Sequence, residues 1–248
     1  MTILCIETST SVCSAAICKD GVPGKQCISY DGSNHARLLP RYIEELLSYA
    51  REQGWSIDAV ALSEGPGSYT GLRIGASTAK GLCYGLNIPL IPIPTLEVLC
   101  EAAKKSLYSV SPKDGLCSVS EAVLVPMIDA RRMEVYTKVD GETKAVVVEN
   151  EESVICQQAE PVVGALSAQR SYYYFGDGAE KCAKIFTKPN WHYVPNIVPE
   201  AQFMGALAEK IINHKSQISN HQSIDLAYYE PFYLKEFIAA PSHVKGLN

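Results

Sequence analysis

Residues 64–85 read EGPGSYTGLRIGASTAKGLCYG, with glycine at 65, 67, 71, 75, 81 and 85. Each helical glycine costs about 1 kcal/mol relative to alanine, so this density needs a purpose. Phosphate binding is the first to test, because N–H groups unshielded by Cβ atoms can wrap an anion. A P-loop requires G-x-x-x-x-G-K-[ST]; here five residues separate Gly65 from Gly71, and Leu72 stands where lysine belongs. The dinucleotide pattern G-x-G-x-x-G fails at Thr70. Both fingerprints miss by one place.

The other groups able to do chemistry are scattered. His35 has Leu39 four residues on, and His192, His214, His221 and His243 show no ligand spacing, so no metal site is expected. Nine cysteines, an odd number without a CxxC pair, sit mostly in apolar runs and read as small buried hydrophobes. No GxSxG stretch supplies a nucleophilic serine.

The alternative purpose of the glycines is a thin helix. Ser68 or Thr70 can cap it. At about 100° per residue, Leu72, Ala76, Ala79, Cys83 and Leu86 share a face suited to cover a sheet. Beside it runs a small flank of Gly71, Gly75, Thr78, Leu82 and Gly85, then a stripe of Tyr69, Arg73, Lys80 and Tyr84. A neighbouring helix can approach such a flank more closely than the usual distance of about 8–10 Å. That neighbour is either in the same chain or in another protein.

The elements that would carry these residues follow an α/β order. ILCIET, SAAICKDG and CISY form an opening β-meander, and residues 34–54 an amphipathic helix with Leu38, Tyr42, Leu46 and Tyr49 at helical spacing and Gly54 at its end. IDAVALSEGPG is a strand entering the glycine stretch, LIPIP another strand, and 95–107 a helix. SVSPKDGLCSVS (109–120) reads as a linker. A second cycle begins with the hairpin EAVLVPMIDA/MEVYTKVDG across Arg131–Arg132, continues with the strand KAVVVENEESV, and has SYYYFGDGAEKC as strand, turn and helix start. Residues 200–214 form the last helix, and the terminal APSHVKGLN frays. A duplicated architecture is expected, with lobes at 1–108 and 109–248 and the 215–248 tail packing back on the first.

Composition narrows the function. The chain has 248 residues and a formal charge of −5, and no dense Lys/Arg run, so it is not built to grip nucleic acid alone. It has no apolar run of about 18 residues, and its start carries Glu7 where a signal peptide would be apolar. A cytoplasmic protein is expected.

GPGSYTGLRIG, ILCIETST, HARLLPRYIEELL, IPLIPIPTLEVL and IDARRMEVY together resemble the TsaB (YeaZ) family, densely over 1–140, weakly over 141–200 and loosely in YYEPFYLKEF. The resemblance implies two lobes of the actin-like/sugar-kinase/Hsp70 type. It implies a non-catalytic dimerisation subunit that binds a TsaD catalytic subunit and a TsaE ATPase in threonylcarbamoyl modification of tRNA adenosine 37. tRNA would be met only through that complex, and the chain could form a homodimer when alone. It would have no cofactor of its own, with ATP acting at the level of the complex.

The resemblance also implies that the glycine helix and the helix before it face TsaD, which nominates Leu38, Tyr42, Tyr69, Gly71, Arg73, Ile74, Gly75, Thr78 and Leu82. In TsaD two histidines four residues apart hold a metal; the matching positions here are Thr95 and Leu99. Kinases of the fold carry an Asp-x-Gly turn where this chain has Glu7, Thr8 and Ser9, which keep hydroxyls for a residual nucleotide contact. The second hairpin carries Asp129, Arg131 and Arg132. They either meet an anion or a partner at the cleft, or fix the hairpin itself. Gly176-Asp177-Gly178 reads as an ordinary strand-to-helix turn. The competing functions are a glycoprotease-like metallopeptidase and a small-molecule kinase of the same fold.

Overall fold

A computed structural model describes residues 1–32, 34–109, 122–139, 141–154, 170–216 and 224–235. The expected linker at 109–120 lies almost wholly outside the described residues, as do Cys117, Cys156, His221, His243 and the last residues of the tail.

Strands β1 (Thr2–Glu7), β2 (Cys13–Lys19) and β3 (Val22–Ser29) form the opening antiparallel meander. Helix α1 (His35–Glu52) leads to β4 (Ala59–Gly65), helix α2 (Tyr69–Leu86) and β5 (Leu90–Pro94), the last two strands running parallel to β1. Helix α3 (Thr95–Ser109) leaves this sheet, whose order is β3-β2-β1-β4-β5. The second half has β6 (Val123–Asp129), β7 (Glu134–Val139), β8 (Glu142–Val147), β9 (Tyr172–Phe175) and β10 (Trp191–Val194), ordered β8-β7-β6-β9-β10. Its first three strands are antiparallel and β9 and β10 run parallel to β6. The two sheets therefore repeat one topology, a two-lobed α/β fold.

Alternation along the central strands divides the first sheet between two layers. Leu4, Ile6, Ile17, Val60 and Leu62 lie under α1 and α2. Ile3, Cys5, Ala16, Cys18, Ala61 and Ile93 face the other way. Helix α3 is shared: Val98 packs on the first sheet, while Leu96, Leu99 and Ala103 meet Ile128 and Phe175 of the second. Six of the seven described cysteines are buried, and Cys100 is half-buried.

Three sequence expectations are corrected. The buried face of α1 is His35, Leu39, Ile43, Leu46 and Ala50, one residue around from the stripe read off the sequence, with Leu38 and Tyr42 at its edge. Both stripes have helical spacing, and packing selects the one with smaller side chains. Leu86 is 46% exposed, because Asn87 turns left-handed (φ 54°) and ends α2 before Leu86 reaches the sheet. Helix α4 (Met204–Ser216), assigned by sequence to the second lobe, packs Met204 and Ala208 on the far face of the first sheet. Two smaller differences concern β10, which the sequence reading lacked, and the helix expected after Gly178, which is only the 3-10 turn Glu180–Cys182.

Candidate functional site

The glycine stretch starts where β4 ends. Ser68 caps α2, its Oγ accepting from Gly71 N at 3.3 Å. The turn after β1 lies against the helix start: Ser68 N donates to the Ser9 carbonyl at 2.6 Å, and Thr8 Oγ1 donates to the Gly71 carbonyl at 2.8 Å. A Cβ on Gly67 would strike the Ser9 carbonyl, on Gly71 the Thr8 carbonyl, and on Gly75 the Thr8 hydroxyl. The chain's own hairpin thus fills the space these glycines leave. Gly71 and Gly75, nominated as docking residues, are buried with their open side turned to the chain's own hairpin and away from the outer surface of α2. The second half repeats the device after β9, where Cβ atoms on Gly176 and Gly178 would strike Met127 and Ile128 at the end of β6.

Glu7, Thr8 and Ser9, expected to keep a nucleotide contact, are all fully buried, and only Ser9 reaches a cavity. Glu7 Oε1 accepts from Ser9 N at 2.6 Å and from the Ser9 hydroxyl, while Oε2 is buried without a hydrogen-bond partner. Burial pushes the Glu7 carboxyl above its ordinary value; the Ser9 hydroxyl and N–H oppose this, and the charge of Asp177 adds to it. Thr95 is committed as well, bonded to Ser63 Oγ at 2.7 Å and accepting from Gly65 N at 3.2 Å, and Leu99 is core.

Between the lobes lies a cavity of about 1060 Å³. Ser9–Ser11, Gly67–Gly71 and Arg37 line it from the first half, Ile128–Arg132 and Asp177 from the second. Asp129 settles part of the open question about the hairpin. Its Oδ1 accepts from Arg131 N at 3.2 Å and pairs with Lys181, while its backbone N–H donates to Asp177 at 2.9 Å. Asp129 fixes the hairpin. Arg131 (φ 69°) and Arg132 (φ 51°) occupy left-handed turn positions, and their exposed guanidinium groups make no ion pair among the described residues.

The segment 224–235 crosses this region. Leu226 and Tyr229 pack on the first core, Lys80 Nζ donates to the Ala227 and Tyr229 carbonyls at 3.2 Å, and Phe232 N donates to the Glu64 carbonyl at 2.7 Å. Tyr233 then packs on Tyr69 with the rings tilted at 42° (5.2 Å between centroids), and Lys235 pairs with Glu134 on β7. It ties one lobe to the other.

A second, shallower groove of about 460 Å³ lies on the outer side of α2, lined by Ala36 of α1 and by Tyr69, Thr70, Arg73, Ile74, Ser77 and Thr78. Four of the nominated docking residues, Tyr69, Arg73, Ile74 and Thr78, meet there. Leu38, Tyr42 and Leu82 do not; they are half-buried against the first core. Arg73 lies over the Tyr69 ring (5.4 Å) and donates to its hydroxyl at 3.1 Å. Ser77 of the groove and, beyond it, Gly81, Tyr84 and Gly85 are exposed, and nothing lies within 4 Å of a Cβ built on Gly81 or Gly85. Gly85 belongs to the small flank seen in the sequence, whereas Ser77 and Gly81 lie one step around the helix from that flank.

A family model described as TsaD, tRNA N6-adenosine threonylcarbamoyltransferase, matches residues 30–157. The chain belongs to this family, and the curated relatives it matches include proteins named TsaB. The tRNA threonylcarbamoyladenosine biosynthesis protein TsaB of Escherichia coli is 35% identical over 136 residues, 55% of this chain and 53% of that protein. The protein of the same name from Haemophilus influenzae is 34% identical over 136 residues, 55% of this chain and 52% of its own. The match spans about half the length of these curated relatives. Among solved structures, YeaZ from Pseudomonas aeruginosa superposes with a TM-score of 0.64 at 24% identity, covering 94% of this chain and 99% of that one, a likeness of fold.

Proposed function

We propose that this chain is a non-catalytic docking subunit in tRNA threonylcarbamoyladenosine biosynthesis, working in the cytoplasm. It binds a TsaD-type catalytic subunit through the outer face of α2 and the start of α1, and a TsaE-type ATPase joins the assembly. tRNA is met through the complex, the chain needs no cofactor of its own, and any ATP acts at the level of the assembly. The observation that carries the reading is the outward stripe of Ser77, Gly81 and Gly85 beside the groove at Arg73 and Tyr69. A stripe without bulk lets a partner helix approach closely, and arginine and tyrosine at its edge are favoured interface types. The names of the TsaB relatives support the pathway, and the commitment of Thr8 and Thr95 to bonds within the lobe supports a non-catalytic role.

The test is co-purification with a TsaD-type subunit and transfer of threonylcarbamoyl to tRNA with and without this chain. Gly81→Arg adds a long side chain where the lobe has open space, so it leaves the fold intact and abolishes the complex. A complex that survives Gly81→Arg, or transfer that does not need this chain, refutes the reading.

A further inference from the structure

The outer groove and the interlobe cavity are not separate. Ala36, Tyr69, Thr70 and Ile74 line both, so the two form one trough from the outside of α2 into the cleft. Arginines mark its length: Arg73 at the groove, Arg37 on the first turn of α1, and Arg131 and Arg132 on the β6–β7 hairpin. Every ion pair among the described residues takes its cation from lysine or the chain's N-terminus, and none from arginine. The carboxylates that line the trough each have a partner in the chain: Asp129 with Lys181, Glu134 with Lys235, and Asp177 with Asp129 N. Neither α1 nor α2 has an acidic residue in its first turn, so both helix N-termini add positive potential at the same place. This is an unpaired cationic trough in a chain of net charge −5.

We propose that these arginines receive carboxylates from the docked catalytic subunit, whose acidic helix lies along α2 and whose acidic side chains reach the hairpin, so that the partner grips both lobes. The proposal rests on the docking reading above. A guanidinium pairs with a carboxylate through two parallel hydrogen bonds, and removing one partner of a desolvated pair leaves the other charge buried and unmatched. Protein carboxylates fit better than RNA phosphates. The floor of the groove includes Ala36 and Ile74, its neighbours Ser77 and Gly81 suit a helix, and the net negative charge of the chain repels a polyanion at long range.

The experiment measures affinity between the full chain and a TsaD-type subunit by calorimetry across salt concentrations. Arg73→Gln, and separately the pair Arg131→Asn/Arg132→Asn, should each weaken binding about tenfold or more at low salt and flatten its salt dependence. Asparagine is chosen because it tolerates the left-handed turn. If the hairpin pair binds like the parent with the same salt dependence while Gly81→Arg still abolishes the complex, the partner does not reach the second lobe; this inference fails and the docking reading stands. If Gly81→Arg also binds normally, both fail. Binding of labelled tRNA to the chain alone, lost in the arginine variants while partner affinity is unchanged, would assign the trough to phosphates and overturn the proposal.

Discussion

Thr8 and Gly71 are 63 residues apart in sequence and in direct contact, the Thr8 hydroxyl donating to the Gly71 carbonyl at 2.8 Å. A Cβ on Gly71 would collide with the backbone carbonyl of Thr8, which no rotamer change can relieve. Gly71→Ala should therefore cost about 1–3 kcal/mol or more, the usual penalty for overpacking. Denaturant unfolding measures it, and a midpoint equal to the parent's would contradict the packing described.

The same helix offers the opposite sign at Gly81. Nothing lies within 4 Å of a Cβ there, and the residue is exposed in the helix interior. Gly81→Ala should stabilise the isolated chain by about 1 kcal/mol through helix propensity alone. A loss of stability would place a hidden neighbour at that position.

Lys80 should act as a clasp. Its ammonium holds two carbonyls of the segment that ties the lobes, at Ala227 and Tyr229. Lys80→Met should speed amide hydrogen exchange in residues 226–233, Phe232 included, with little change in β1 or β4. Unchanged exchange would leave the apolar anchors Leu226 and Tyr229 as sufficient by themselves.

Glu7 should make stability fall as pH rises. Burial holds its carboxyl above the ordinary 4.5, so the folded chain binds this proton more tightly than the unfolded chain does. The favourable contribution is complete below the ordinary value and is lost as pH rises through the raised one. Glu7→Gln, which keeps an oxygen to accept from Ser9, should remove that slope. Parallel stability–pH profiles for the two proteins would rule out Glu7 as its source.

Local signals made much of the fold legible. Gly54 marks the end of α1, which stops at Glu52, and of the two caps the sequence offers, Ser68 and Thr70, the structure uses Ser68. The duplicated order of strands followed from the two meanders. What stayed hidden depended on residues far away. Missing Cβ atoms show where a backbone is bare, but only the return of Thr8 and Ser9 decides that Gly67, Gly71 and Gly75 face inward while Gly81 and Gly85 face out. The strand at 191–194 has four residues, too few for alternation to register. Residues 200–214 read as a helix, observed at Met204–Ser216, yet its destination depends on Gly205, which lies against Cys18; a Cβ there would lie 2.5 Å from the Cys18 Cβ. Within the trough, Arg131 and Arg132 were singled out, whereas Arg37 gave no signal apart from its neighbours on a helix surface.

The helix that covers Ile3, Cys5 and Ile93 is made of residues 204–216. During synthesis the opening β-layer must therefore wait, greasy on one side, until residues 204–216 have left the ribosome. Neither half is a self-sufficient body, and a nascent chain stalled before that point would be a client for chaperones.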